Sequence, residues 1–468
     1  MNRRRVLSAS GALLALALAG CAGDGTGGGG DTPTDGSESP TDADTPTDTP
    51  TDTPTDTPTD TTTDPPDDDA TTVDREVDEE RLAKLAADNA AFALDLYRYQ
   101  ADEAGGNQFF SPYSVSVALA MTYAGARGET REGIAEAMHY SLGEAVHPAF
   151  ADMRAALQAR ETTTDPVDDE EVDAFKLETA NALWGEEGFP FSEAYLALLE
   201  EHYGAGLRTA DFAGDPGGER ERINDWVAEQ TEDEIADLLP AGSITPQTVL
   251  VLTNAIYFLA GWAHEFDPEK TEDGTFTALD GTESTVPMMH QEVRTDYADV
   301  AGAEAVELPY AGGDVSMVLI LPDEGAFRHF EKHLDADRLF DIFDSLGDAK
   351  GKLALPRFEY ETGIQLSDAL SALGMGDAFG GGANLSGMVE GDGGGLAIDE
   401  VYHDAFVSVD EEGTEAAAAT GVVVFESAPP EWGELRFDRP FLFCIRDRPT
   451  DAVLFLGRVT DAGDAQSD

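Results

Sequence analysis

Residues 411–420 read Glu-Glu-Gly-Thr-Glu-Ala-Ala-Ala-Ala-Thr and lie between two apolar runs, 405–409 and 421–425. If this stretch is extended, successive side chains point to opposite faces. One face then carries only small or β-branched uncharged residues, namely Thr414, Ala416, Ala418, Thr420, Val422 and Val424. Such a segment could enter between two strands without placing a charge or a bulky group in the core.

The same residues also suit a second conformation. Ala416, Ala417, Ala418 and Ala419 are consecutive, and alanine has the highest helix propensity of all residues. A surface helix or a mobile loop is therefore as compatible with the stretch as an inserted strand is. The sequence predicts a segment that can exist in two states.

Charge is the most unusual property of the composition. The 468 residues include 28 Lys and Arg against 94 Asp and Glu, which gives a formal charge of −66. Such a surface repels nucleic acids and anionic membranes, so neither is an expected partner. We interpret the acidic excess as an adaptation to very salty surroundings, in which the carboxylates are screened and hold water.

The N-terminus has the pattern of an export signal. Three arginines precede an apolar run, 6–19, that is too short for a transmembrane helix and ends just before Gly20-Cys21. Residues 1–20 resemble a twin-arginine signal combined with a lipoprotein signal, which predicts a lipid on Cys21. The alternative is a plain secretory signal with an unrelated cysteine. Either reading predicts an exported protein, lipid-anchored at the outer membrane face or secreted.

Residues 21–77 are predicted to be a linker. Glycines are followed by Thr-Pro-Thr-Asp repeats over 45–60, and this composition cannot form a packed core. Charged, proline-containing linkers are extended, so we expect a stalk that lifts a domain from the cell surface.

A folded α+β domain is predicted over 78–468. An apolar stripe with helical spacing opens it, formed by Leu82, Leu85, Phe92 and Leu96. Further helices are predicted from Ser111-Pro112 and over 193–203 and 219–239. Strands are predicted at 248–252, 305–308, 315–321, 353–355 and 405–409. Helices come mostly early and strands mostly late, which favours one α+β domain. Cys444, in the apolar run 441–445, is predicted to be an inert thiol in a buried strand, and no disulfide is expected.

Several motifs follow one another in order along this domain. They are 107–115 (NQFFSPYSV), 252–262 (LTNAIYFLAGW), 307–310 (ELPY), 319–322 (LILP), 384–387 (NLSG), 411–420, 438–443 (DRPFLF) and 455–459 (FLGRV). Each motif alone is weakly specific, but their order and spacing together resemble the serpin family over about 78–460.

The resemblance implies a large central β-sheet, two smaller sheets, eight or nine helices and an exposed reactive loop. It further implies an irreversible suicide-substrate inhibitor of serine proteases. After cleavage, the loop would insert into the central sheet and carry the covalent acyl-enzyme with it. A monomer without cofactor or metal is expected, and the composition and export signal resemble those of a halophilic archaeon. A non-inhibitory serpin acting as a surface binding protein or chaperone is the alternative.

The resemblance also assigns the loop. Inhibitory serpins need a hinge without bulky, charged or proline residues at inward positions. The hinge residues here are Glu411, Gly413, Thr414, Glu415, Ala416, Ala417, Ala418, Ala419 and Thr420. Family spacing places the reactive bond between Ser427 and Ala428, which suits elastase-like or subtilisin-like proteases. Phe425, for a chymotrypsin-like or subtilisin-like protease, and Glu426, for an acid-specific one, are alternatives.

A second set of residues is implied to control opening of the sheet. Ser111, Ser114, Asn224 and His403 match the cluster over which the central strands part, with His403 as a hydrogen-bonding core residue. Trp262 matches the tryptophan where the loop first enters. Arg357 is expected to pair with Glu411 and hold the hinge shut; the alternative is an ordinary exposed ion pair.

Enzyme activity is not expected. The sequence contains no G-x-S-x-G, P-loop, H-E-x-x-H or Cys-x-x-Cys motif, and its eight histidines lack ligand spacing. The acidic run at 168–171 could suggest a cation site, but a solvated acidic loop explains it.

Overall fold

The computed structural model describes residues 78–103, 105–164, 171–204, 206–300, 302–391, 396–414 and 429–466. These residues belong to one compact unit, Asp74–Asp468. The predicted signal peptide 1–20, the lipid site Cys21 and the linker 21–77 lie outside the described residues. Within the described part, no helix is both long enough and apolar enough to cross a bilayer.

The helices of the described part are α1 Glu79–Glu103, α2 Pro112–Gly125, α3 Gly128–Ala137, α4 Val146–Gln158, α5 Glu193–Tyr203, α6 Pro216–Gln230, α7 Phe327–Lys332, α8 Ala336–Ser345 and α9 Ser367–Leu370. Helices α2, α6 and α8 begin at a residue whose side chain caps them. Ser111 caps α2, because its side chain accepts a hydrogen bond from the backbone N–H of Ser114 at 3.1 Å. Asp215 caps α6 in the same way through Gly218.

The predicted helix at 219–239 is wrong in extent. Helix α6 starts earlier, at Pro216, because Asp215 and Pro216 form a favourable helix start. It ends at Gln230, because Glu232 and Asp233 have φ of 51° and 70°, which a right-handed helix cannot contain. Asn224 holds the chain that follows, since its side chain exchanges two hydrogen bonds with the backbone of Leu239.

The strands of the described part are longer than their apolar runs. They are β1 Gln108–Phe110, β2 Thr162–Thr164, β3 Glu171–Asp173, β4 Lys176–Thr179, β5 Ala182–Glu186, β6 Leu207–Ala210, β7 Leu250–Gly261, β8 Glu272–Thr277, β9 Glu283–Val300, β10 Ala303–Pro309, β11 Val315–Pro322, β12 Gly347–Pro356, β13 Phe358–Gln365, β14 Val401–Val409, β15 Gly413–Thr414, β16 Glu431–Arg436, β17 Phe441–Asp447 and β18 Ala452–Val459.

Among the described residues, these strands form three sheets. A nine-stranded sheet has the order β1-β18-β17-β11-β10-β9-β12-β16, with β8 paired to β9. A seven-stranded sheet has the order β13-β14-β7-β5-β6, with β4 and β15 also paired to β7, and β2 pairs with β3. The predicted α+β class is confirmed.

Strand β7 separates the two parts of the core. Ile256 and Ala260 face the main hydrophobic core. Val251 and Ala255 face a second cluster formed with α6 and the chain after it. Both faces of the strand are therefore covered, which explains its nearly continuous apolar sequence. A segment added beside β7 would therefore meet buried side chains on both faces over 250–258, whereas Leu259 is partly exposed.

The buried thiol gives a direct test of this core. Cys444 on β17 is fully buried, and burial raises the pKa of its thiol to about 12. In a Cys21→Ser chain, where Cys444 is the only remaining thiol, we expect no reaction with Ellman's reagent at pH 8 while the protein is folded. Stoichiometric reaction should follow after unfolding in guanidinium. Complete labelling of the folded protein would contradict the buried position of β17.

Candidate functional site: a fork between two strands

The seven-stranded sheet is forked. Strands β14 and β7 pair in parallel over only five positions, from Val401 opposite Leu252 to Ala405 opposite Ile256. Beyond this point β14 stays paired with β13 as far as Val409. Strand β7 runs on to Gly261. The described ladder between β14 and β7 ends at Ala405, and the two strands diverge above it.

The chain after β14 turns back into this fork. Asp410 forms the turn, because its side chain accepts hydrogen bonds from the backbone of Glu412 at 2.8 Å and of Gly413 at 3.1 Å. Gly413 and Thr414 then pair antiparallel with Gly261 and Ala260 at the end of β7. The first two residues of a strand are thus already in place between β14 and β7.

Only glycine fits at position 413. A Cβ atom there would lie 2.2 Å from the carbonyl oxygen of Ala260. This close approach of two backbones explains the glycine in the hinge motif.

Two stacked aromatic side chains form hydrogen bonds with the residues at the start of the hinge. Trp262 stacks on Tyr310, with ring centroids 4.6 Å apart and an interplanar angle of 7°. The indole N–H of Trp262 donates to the backbone oxygen of Asp410 at 3.0 Å. The hydroxyls of Tyr310 and Thr414 are 2.8 Å apart, and Thr414 is only 2% exposed. Thr414 therefore points inward.

An ion pair holds the same turn from outside. Arg357 contacts the carboxylate of Glu411 at 2.6 Å, and the hydroxyl of Thr271 also donates to this carboxylate. Burial opposes ionisation of Glu411, but the hydrogen bonds from Arg357 and Thr271 outweigh it and lower its pKa. The carboxylate side chain is 4% exposed and the arginine 43% exposed. The pair is thus neither fully buried nor an ordinary surface pair.

A polar network lies under the paired part of the two strands. His403 and Asn254 are opposite each other in the β14–β7 ladder. The backbone N–H of Ser111 donates to Nε2 of His403 at 3.0 Å, so Nδ1 carries the proton and donates to Asn254 Oδ1 at 2.5 Å. Burial lowers the pKa of His403 to about 4, so the imidazole is neutral near pH 7. We call the five-pair ladder between β14 and β7 the seam. The hydrogen bond between His403 and Asn254 crosses it directly.

Two further side chains extend the network away from the seam. The amide nitrogen of Asn254 donates to Ser114 Oγ at 2.8 Å and to Asn181 Oδ1 at 2.6 Å. Ser114 Oγ in turn donates to Asn181 Oδ1 at 3.0 Å. Ser111 Oγ donates to the backbone oxygen of Leu454 at 2.7 Å. The network thereby ties the seam to α2 and to β18.

The structure brings most of the predicted opening residues to this fork, but not Asn224. Asn224 lies on α6 and bonds Leu239, so its assignment to the cluster is wrong. Asn254 and Asn181 supply the amides instead. Asn254 could have been found from the sequence, because period two places this polar residue on the inward face between Leu252 and Ile256. Asn181 has no comparable signal.

The remaining loop residues lie outside the described part. These are Glu415, Ala416, Ala417, Ala418, Ala419 and Thr420 of the hinge, and Phe425, Glu426, Ser427 and Ala428 around the predicted reactive bond. The chain resumes at Pro429 and forms β16, which pairs in parallel with β12 in the other large sheet. The two ends of segment 415–428 are therefore held by different sheets.

The described residues contain no group of three or more His, Cys, Asp or Glu side chains that could hold a metal ion.

Comparison with known proteins identifies this architecture. Residues 87–462 match the family model described as serpin, serine protease inhibitor. A serpin-like protein of Thermococcus kodakarensis is 39% identical over 80% of this chain and 85% of its own. The leukocyte elastase inhibitor of Sus scrofa is 38% identical over 81% of this chain and 100% of its own. The crystal structure of tengpin, a thermophilic serpin in the native state, matches with a TM-score of 0.70 and 30% identity, covering 81% and 94% of the two chains. The chain therefore belongs to the serpin family, whose members bind serine proteases.

Proposed function

We propose that this protein is an exported, single-use inhibitor of serine proteases, anchored outside the cell by a lipid on Cys21. A protease cleaves a bond within 415–428, and the freed segment enters the fork as a new strand between β7 and β14. The inserting segment carries the acyl-enzyme with it and thereby traps the protease. Loop insertion of this kind is a known switching mechanism. The observation that carries this proposal is the pairing of Gly413 and Thr414 with the end of β7.

The register of that pairing defines the full insertion. Thr414 opposite Ala260, continued antiparallel, puts Val424 opposite Leu250, the first of the twelve residues of β7. Residues directly opposite in an antiparallel pair share a face, so every second residue after Thr414 would face the main core. Those residues are Ala416, Ala418, Thr420, Val422 and Val424, all small or β-branched. The sequence therefore suits the space beside β7 along its whole length.

The energetics favour the inserted state. Beyond Gly413 and Thr414, which are already paired, ten inserted residues, 415–424, would span about 34 Å and add a new ladder on the order of 10 kcal/mol, at about 1 kcal/mol net per hydrogen bond. The opposing cost is parting the five pairs between β14 and β7, together with the His403–Asn254 hydrogen bond. In the intact chain the anchoring of β16 on the other sheet prevents further entry. Cleavage removes this restraint.

The reactive bond is proposed at Ser427-Ala428, fourteen residues after Gly413 by family spacing. These small side chains suit an elastase-like or subtilisin-like protease, whereas cleavage after Phe425 would suit a chymotrypsin-like one and cleavage after Glu426 an acid-specific one. We propose a halophilic archaeon as the source of the chain. The proposed target is an extracellular subtilisin-like protease that works in salty surroundings.

The first prediction concerns the covalent complex. The full chain, folded in high salt, is mixed with subtilisin, elastase and chymotrypsin in turn. We expect a complex that survives boiling in detergent with at least one of them, because the trapped enzyme is esterified to the loop. N-terminal sequencing of the released C-terminal fragment should show that the fragment begins at Ala428. Clean cleavage by all three proteases without any complex would favour the non-inhibitory alternative.

The second prediction concerns the hinge. Thr414→Arg places a charge where the side chain is buried against Tyr310, so insertion should be blocked while cleavage continues. We expect at least about tenfold less complex per cleaved chain, measured by densitometry of detergent gels. Glu415→Arg is the matched control, because in the same register it faces the opposite side, beside half-exposed Leu259. Equal trapping by wild type and Thr414→Arg would contradict the insertion mechanism.

The third prediction compares intact and nicked protein. If nicking releases about 10 kcal/mol, the nicked form should melt about 10 °C or more above the intact form in the same buffer. Asn254→Ala should destabilise the intact form more than the nicked form, because the hydrogen bond to His403 crosses the seam only while it is closed.

Asn224→Ala is the matched control, since it removes two hydrogen bonds to Leu239 that lie away from the seam. It should lower both melting temperatures by similar amounts, as read by circular dichroism. Identical melting of nicked and intact wild type would rule out a metastable native state.

A further inference from the structure

A cavity of about 340 Å³ lies between helices α2, α4, α5 and α6 and the edge of the seven-stranded sheet formed by β4, β5 and β6. This volume is at the lower end of the range found for small-molecule pockets. Its lining is mixed: polar residues such as Gln158, Thr179 and Gln230 stand beside an apolar part formed by Val117, Met121, Leu157, Leu177 and Trp226. The cavity can therefore hold a small apolar body.

Two arginines also line this cavity, Arg154 and Arg208. Among the residues that the structure describes, no carboxylate lies within ion-pair distance of either one, although the chain carries 94 acidic residues. The Nε of Arg154 is buried and has no hydrogen-bond partner in the described part of the chain. A buried donor without a partner is costly, which suggests that a ligand supplies the acceptor.

An aromatic platform orients the second arginine. The guanidinium carbon of Arg208 lies 4.4 Å from the ring centroid of Trp226 and 5.4 Å from that of Trp184. Stacking on a ring uses the face of the guanidinium and leaves its N–H edge available for an oxyanion. Glu161 is the one carboxylate residue among the lining side chains, and burial, with Glu178 and Asp173 nearby, raises its pKa. The cavity is thus locally cationic within a strongly anionic protein.

We propose that this cavity binds a small amphipathic organic anion, a monocarboxylate with an aromatic or aliphatic body. Its carboxylate would be held by Arg154 and Arg208, and its body would pack against Met121, Leu157 and Trp226. An inorganic anion from the solvent would contact only the two arginines and would leave the apolar side chains of the cavity uncovered.

The cavity also touches the network beneath the seam. Asn181 lines the cavity and accepts hydrogen bonds from Asn254 and Ser114, and Asn254 in turn bonds His403 across the seam. A ligand in contact with Asn181 would therefore favour the arrangement in which the seam is closed. We expect an occupied cavity to slow insertion of the loop, an effect that rests on the proposed function.

Binding is tested with the full chain, folded in high salt, by calorimetry with 4-phenylbutyrate. The neutral analogue 4-phenylbutanol should bind at least about tenfold more weakly, as expected for loss of charge-assisted hydrogen bonds. Arg208→Gln and Arg154→Gln should each weaken binding of the carboxylate by a similar factor. Arg222→Gln is the matched control, because Arg222 lies near Trp184 but pairs with Glu219 and does not line the cavity. Equal binding of acid and alcohol, undiminished binding in both variants, or no binding at millimolar concentration would overturn the site.

Coupling is tested by the rate of complex formation with the protease that the chain traps. Saturating 4-phenylbutyrate should slow this rate by about fivefold in the wild type and leave Arg208→Gln unchanged. Cleavage of a chromogenic substrate by the protease at the same ligand concentration controls for direct inhibition. An unchanged or faster rate overturns the coupling alone. A chain that traps no protease overturns the proposed function and with it the coupling, whereas calorimetry still decides the binding site.

Discussion

The short ladder between β14 and β7 is the constraint on which the rest of this structure depends. Five residue pairs join the two strands, and one side-chain hydrogen bond, from His403 to Asn254, crosses between them. Above these pairs the strands diverge and receive the turn formed by Asp410. The network beneath, the aromatic pair at the top and the ion pair of Glu411 all contact this ladder or the turn above it. A sheet that is complete except at one seam can gain stability by admitting another strand.

The sequence predicted the α+β class and located the elements whose apolar patterns are long and regular, namely helices α1, α2 and α5 and strands β7, β10, β11, β12, β14 and β17. For the hinge, period two predicted that Thr414 faces inward, and Thr414 is buried against Tyr310. The end of α6 was missed because two residues with positive φ, Glu232 and Asp233, have no strong signature in the sequence. Helix propensity there favours continuation, and the backbone geometry overrides it.

The polar network was predicted only in part, for a different reason. Ser111, Ser114 and His403 stand in distinctive motifs, whereas the partners of a buried amide depend on which strands are neighbours. Asn224 and Asn254 are both buried asparagines that satisfy backbone or side-chain groups. Only the fold reveals that one closes the turn after α6 and the other faces His403. Likewise, the fork is visible only in the register of β14 against β7.

If the seam opens, the residues at the five paired positions must suit two different arrangements. Each side chain at 401–405 and 252–256 has one set of neighbours while the two strands touch and another once a third strand separates them. A substitution that suits the first arrangement can fail in the second, and the reverse also holds. The substitutions tolerated at these ten positions should thus be only those that suit both arrangements. Evolution would have to refine this small patch for two folded forms of one molecule at once.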